Sequence, residues 1–184
     1  MAAPFFTIGH STRSVTEFTG LLQQAGAAFV VDVRAFPRSR TNPQFNFDTL
    51  PASLAEWQVG YRHVVPLGGL RGHARNQDLS LNTYWKNLSF RNYADYAATE
   101  PFRIGLAELR ELGRTQACAV MCAEAVWWRC HRRFIADYLL SQGERVFHIM
   151  GAGKVEPASL NPAAILQPSG TLVYPALPDS SVTE

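Results

Sequence analysis

Residues 27–34, AAFVVDVR, make a nearly continuous apolar run with one carboxylate set inside it. A strand with one wet face alternates apolar and polar side chains. An unbroken run instead suits a strand buried on both faces, and such strands belong to parallel sheets sandwiched between helices. A second run of the same kind is TQACAVMCA (115–123), and shorter ones are FFTIGH (5–10), YRHVVPL (61–67) and ERVFHIM (144–150). Helical patterns lie between them. In SVTEFTGLLQQAG (14–26), Ser14 and Glu17 form a capping box, Val15, Phe18, Leu21, Leu22 and Ala25 share a face, and Gly26 is the stop. Asp48 is placed to cap a helix through Leu50, Leu54 and Trp57 that Gly60 closes. Residues 89–100, 101–113 and 129–142 also read as helices, the last burying Phe134, Ile135, Tyr138 and Leu139.

Strand and helix in alternation predict an α/β fold: a single domain over residues 1–150, three-layer, with a mostly parallel sheet of about five strands and helices on both faces. Residues 68–88 show no period and read as a long irregular connection, a feature that is uncommon in compact domains and often functional. Residues 151–184 contain five of the eleven prolines and only four charged side chains. They read as a proline-rich C-terminal tail, packing on the domain or partly disordered, with a short strand at 171–174.

Apolar residues at 47% and charged residues at 17% fit a globular chain, and no apolar run is long enough to span a membrane. The first residues show neither the basic nor the long apolar region of a secretory signal. Three cysteines, an odd number, argue for reduced thiols and a cytoplasmic location over a disulfide framework. The net charge is only +2, but fifteen of the seventeen basic residues are Arg, whose planar fork of donors suits carboxylate and phosphate. A GC-rich coding bias would give the same composition, so position is more telling than count.

In an open parallel sheet, ligands bind outside the carboxyl ends of the strands. Those ends carry Gly9-His10-Ser11-Thr12-Arg13, Asp32-Val33-Arg34 with the loop through Asn46, Gly68-Gly69-Leu70-Arg71, Cys122-Ala123-Glu124, and His148. The opposite connections, QQAGAA, WQVGY, ELGRTQ and LLSQGE, are plain turns. His10 is either a helix-start residue or an acid–base group that also helps hold an anion. Asp32 is costly inside an apolar run unless paired, and Arg34 or His10 is the expected partner. Arg34, Arg38 and Arg40 are either a solvated loop or an anion site, since three forks on one short loop repel one another unless something negative sits between them. Gly68 and Gly69 make a turn or let backbone approach a ligand.

The segment VMCAEAVWWRCHRRF (120–134) is the densest in unusual residues. Its arrangement is expected to be strand, loop and helix, with Cys122 at the strand end, Glu124 just beyond, and Arg129, Cys130, His131 and Arg132 in the first helical turn. That geometry lowers a thiol pKa and holds an oxyanion. Phosphatases and rhodanese-type sulfur transferases use it with five residues between Cys and Arg, whereas six lie between Cys122 and Arg129. Alternatively, Cys122 is a core residue, or Cys122, Cys130 and His131 bind a metal, although their spacing matches no familiar zinc pattern. Cys118 reads as core.

The blocks TIGHSTRSVTEF, VVDVRAFPRSRTNPQFN, YRHVVPLGGLRG, FRNYADY and VMCAEAVWWRCHRRFIADYLL resemble, in order, the bacterial domain-of-unknown-function family 488 over roughly residues 5–150. The resemblance implies a bacterial, intracellular α/β protein and no particular activity. It implies a site at His10, Asp32, Arg34, Arg38, Gln44, Asn46, Cys122, Glu124, Cys130, His131 and Arg132.

These readings converge on an enzyme for an anionic substrate such as a nucleotide, a nucleic-acid end or a modified base. Arg34, Arg38, Arg40, Arg129 and Arg132 would hold the anion, assisted by Gln44, Asn46, Gly68 and Gly69. Cys122, Glu124, His10, His131 and Asp32 would do the covalent and acid–base work. The alternatives are a nucleic-acid or nucleotide binding module without catalysis and a rhodanese-like sulfur carrier on Cys122. No cofactor is assigned, no membrane partner is expected, and the oligomeric state is left open.

Overall fold

The fold is taken from a computed structural model that describes residues 3–72 and 80–178. The elements run β1 (Phe5–Gly9), α1 (Val15–Ala25), β2 (Phe29–Asp32), α2 (Leu50–Ala55), β3 (Gly60–His63), α3 (Leu88–Tyr96), α4 (Glu100–Gly113), β4 (Cys118–Cys122), α5 (Arg132–Ser141), β5 (Val146–Gly151) and β6 (Lys154–Pro157). A small hairpin of β7 (Ile165–Leu166) and β8 (Leu172–Val173) follows. The main sheet has the order β3-β2-β4-β1-β5-β6. Its first five members are parallel and β6 is antiparallel to β5. This is the α/β sheet that the apolar runs predict, with one strand more.

Successive side chains of a strand face opposite layers. Phe6, Ile8, Val30, Ala119 and Met121 pack on Phe18, Leu21 and Leu22 of α1 and on Leu50 and Leu54 of α2. Phe5, Val31, Cys118, Val120 and Cys122 pack on α3, α4 and α5 through Tyr93, Phe102, Leu106, Phe134 and Leu139. Cys118 is therefore a core residue, as expected. The continuous apolar runs arise because both faces of β1, β2 and β4 are covered.

Several boundaries differ from the sequence reading, each for a physical reason. Ser14 caps α1 by accepting from the Glu17 N–H, and Gly26 closes it in the left-handed conformation, as the capping pattern predicts. Asp48 does not cap α2; the N-cap is Thr49. Nor does Gly60 end that helix. The left-handed residue is Gln58, and the Val59 N–H reaches back to the Leu54 carbonyl. Gly60 instead opens β3 because the Phe29 ring lies where its Cβ would be, at 2.3 Å. β3 stops at His63, and Pro66 sits in a 3-10 turn over Val65–Leu67.

Helix α5 starts later than expected. Trp127–Arg129 is a separate 3-10 turn, and Cys130 is extended, with φ −128° and ψ 149°. Arg129 and Cys130 therefore precede the helix. His148 lies within β5 and not at its end. Of the residues after 150, Lys154–Pro157 adds the sixth strand. Leu172 and Tyr174 are buried against α5, where the Tyr138 hydroxyl accepts from the Leu172 N–H and the Tyr174 hydroxyl donates to Asp137. The expected strand at 171–174 is β8. Parts of the irregular 68–88 connection and of the tail lie outside the described residues.

Candidate functional site

The loop after β1 leads to α1 on one face, and the loop after β4 leads to α5 on the other, yet β1 and β4 are hydrogen-bonded neighbours with Gly9 opposite Cys122. Loops that diverge from adjacent strands leave a crevice at the carboxyl edge, the usual ligand position in such sheets. A cavity of about 660 Å³ opens there. Its wall is drawn from the loops after β1, β2 and β4, the segment at Gly69-Leu70, and α3. Of the residues expected at a site, His10, Arg34, Arg38, Gly69, Cys122, Glu124, Arg129, Cys130 and His131 line it.

Cys122 and Cys130 meet at the cavity wall, both held by Arg132. The Arg132 guanidinium donates to Cys122 Sγ and to the carbonyl oxygens of Glu124 (2.7 Å) and Ala125 (3.2 Å). Its backbone N–H points at Cys130 Sγ, 3.5 Å away. Arg132 is 1% exposed, and among the described residues no carboxylate forms an ion pair with it. Arginine stays protonated in proteins, and a buried charge needs a counter-charge. Among the groups that Arg132 contacts, the two cysteine thiols are the ones able to ionise.

Burial pushes both thiols up. At Cys122 it dominates, and this thiol lies well above its ordinary value. At Cys130 a hydrogen bond from Cys122 and the Arg132 charge outweigh burial and bring the thiol down to about 7. His131 completes the group. Its Nε2 faces the Val33 carbonyl at 2.8 Å and its Nδ1 faces Cys130 Sγ at 3.6 Å. Burial lowers its pKa, so the neutral ring keeps its proton on Nε2 for the carbonyl and turns the Nδ1 lone pair toward the thiol. A thiol, an imidazole and an orienting acceptor in line is the arrangement of an activated nucleophile. Gly69 makes room for it: a Cβ there would stand 2.8 Å from His131 Nδ1.

Asp32 works from behind. Its carboxylate holds Arg34 Nε and Nη2 at 2.9 and 2.7 Å and accepts from the Tyr61 hydroxyl at 2.7 Å. The pairing with Arg34 that the apolar run demanded is present, and Asp32 itself is fully buried away from the cavity. Arg34 also donates to the Phe45 carbonyl at 2.7 Å and faces His10 Nε2 at 3.3 Å. His10 stacks on Phe45 with ring centroids 4.3 Å apart, and its Nδ1 donates to the Ser11 carbonyl. Burial lowers its pKa to about 4, so it is a neutral acceptor for Arg34.

Other expected residues lie outside the cavity wall. Arg132 acts from beneath it. Gln44 donates to the Arg13 carbonyl, and Asn46 accepts from the Ser39 N–H, so both shape loops. Gly68 packs on Ala35, and Arg40 is exposed away from the cavity. Arg38 is exposed at the rim, braced by Asp48 at 3.3 Å and by the Phe47 ring. Among the described residues, no three His, Cys, Asp or Glu side chains converge as a metal site would require. Residue-level reading passed over Phe36, Leu70 and Tyr93 on the wall and gave Cys130 no catalytic role. The adjacency Cys130-His131 was the available clue.

The fold and the site define a doubly wound α/β protein with a thiol pair and an arginine-lined hollow at the switch point of its sheet. The chain belongs to the DUF488 family (domain of unknown function), whose sequence model matches residues 14–139. No curated protein and no solved structure matches it. No helix among the described residues is long and apolar enough to cross a membrane.

Proposed function

We propose that this chain is a cysteine-dependent enzyme, a hydrolase or transferase acting on a small anionic substrate, with Cys130 as the nucleophile. The observation that carries the reading is Arg132: a buried arginine with no carboxylate ion-paired to it among the described residues, whose guanidinium donates to Cys122 Sγ and whose backbone N–H points at Cys130 Sγ. His131 takes the thiol proton on Nδ1 while Val33 holds its Nε2–H. Cys122, which keeps its proton, donates a hydrogen bond to the thiolate and lowers its pKa. Arg38 and Arg129 at the rim attract the anion, and Arg34, fixed by Asp32, lines the floor. A nucleic-acid module would favour an extended basic track. Here the cations of the rim converge on one hollow, which favours a compact ligand.

The test is the rate of alkylation by iodoacetamide against pH, mapped by mass spectrometry. The expected result is one fast thiol, Cys130, with half-maximal rate near pH 7, slowed by inorganic phosphate. Cys118, raised to about 11 by burial, is the slow internal reference. A Cys130 no faster than Cys118 overturns the reading. A stable persulfide formed from thiosulfate would move the assignment to sulfur transfer on the same thiol.

A further inference from the structure

Two residues of the cavity wall are unlike the rest. Phe36 is 75% exposed and Leu70 is 81% exposed, the highest values among the exposed large hydrophobic residues of the described part of the chain. Both lie on this one cavity. Leu70 is moreover held at φ 55°, and Ser11, also on the wall, at φ 49°; with Gln58 they are the positive-φ non-glycine residues among those described. A left-handed conformation is costly for a leucine, and strain of this kind collects at ligand clamps. A scattered surface leucine needs no explanation, whereas an aromatic ring and a strained leucine flanking the same arginine-bearing hollow do.

The hollow has two chemistries. Arg38 and Arg129 supply positive charge, and among the described residues Arg129 has no carboxylate within ion-pair distance. Phe36 and Leu70 supply an uncovered apolar edge suited to a flat ring. Ser39 and Asn42 on the wall can hydrogen-bond a hydroxylated middle, and the exposed Glu124 carboxylate suits ribose hydroxyls or an exocyclic amine while repelling a second anion. A volume of about 660 Å³ admits a ligand of that size.

We propose that the cavity takes a nucleoside monophosphate, its base against Phe36 and Leu70 and its phosphate toward the arginines. This rests on the anionic-substrate reading above and narrows it. A simple sugar phosphate would leave the apolar edge bare, and a polynucleotide would need phosphate contacts beyond the hollow.

The experiment is calorimetric binding of the four 5′-mononucleotides, ribose 5-phosphate, inorganic phosphate and a single-stranded oligonucleotide to the whole chain. At least one mononucleotide is expected to bind about tenfold or more tighter than ribose 5-phosphate, the usual yield of stacking a base on an aromatic ring. The double variant Phe36→Ser, Leu70→Ser, exposed at both positions and so harmless to folding, is expected to bring that ratio to about threefold or less while leaving inorganic phosphate binding unmoved. Equal binding of mononucleotide and ribose 5-phosphate overturns the proposal. So does no binding of any mononucleotide, or an oligonucleotide that binds much more tightly with a steep salt dependence. The alkylation profile keeps the two readings apart. If mononucleotides fail while Cys130 stays fast and phosphate shields it, only the base assignment falls.

Discussion

At the scale of single residues, the sulfur pair depends on one guanidinium. Arg132→Lys keeps a charge but not the fork that reaches a sulfur and two carbonyl oxygens together. Alkylation of Cys130 at pH 7 is expected to slow by about fivefold, since a rise of about one pKa unit from weakening the charge beside it cuts the thiolate fraction from about one half to about one tenth. An unchanged pH profile would assign Arg132 to packing alone. Gly9→Ala tests the neighbouring contact. The new Cβ would stand 1.8 Å from the Glu124 carbonyl oxygen, so β1 and the β4 loop must separate. The expected cost is about 2–3 kcal/mol in urea unfolding, with Cys130 reactivity falling as the Arg132–Glu124 contact shifts. At this scale the sequence was half legible. Types and rough placement could be read from CHRR, because strand-end position follows from the pattern. Which sulfur faces His131 could not, because it depends on Cys130 being extended between a 3-10 turn and a helix, a backbone detail that no periodicity encodes.

At the scale of elements, the buried strands and the capped helix α1 were readable because their signals are local: unbroken apolar runs, and Ser14, Glu17 and Gly26 at the ends of one helix. β6 was not, because an edge strand packs little. Lys154 and Val155 are exposed and Pro157 ends the strand. The segment beyond it was equally plain, yet it is fastened to α5 by a buried pair. The Tyr174 hydroxyl donates to Asp137 Oδ2 at 3.0 Å, while Asp137 Oδ1 accepts from the Asn161 N–H at 3.0 Å. Burial raises Asp137 to about 6 despite these bonds. Tyr174→Phe therefore removes a donor from a buried carboxylate, and a loss of about 1–3 kcal/mol is expected in chemical denaturation at pH 7.5. The loss should shrink at pH 5, where Asp137 takes up a proton. A loss of equal size at both pH values would mean that only the packing of the ring matters.

For the whole molecule, two buried histidines, His10 and His148, and the half-buried His131 make acid the direction of weakness. Burial lowers His10 and His148 to about 4 and lowers His131 as well, all from an ordinary value of 6.5. Between those limits the unfolded chain binds protons that the native chain refuses, so stability falls as pH falls through this window. Each such proton contributes about 1.4 kcal/mol per pH unit. Asp137 has the opposite sign. Its native pKa is raised from 3.8 to about 6, so the stability it contributes is present below 3.8 and lost as pH rises through about 6. Two well-defined histidines against one aspartate leave at least one net proton, and urea unfolding is expected to weaken by about 1.4 kcal/mol or more between pH 6 and pH 5. His148→Gln separates the contributions. His148 Nδ1 lies 2.7 Å from Thr7 Oγ1, and the ring stacks on Trp127 at 4.5 Å. A glutamine can keep the first contact and cannot titrate. The variant is expected to be less stable at pH 7 through the lost stacking, but its stability should fall less steeply with acid. Parallel pH curves for the two proteins would place the acid sensitivity in His10 and His131, at the wall of the cavity.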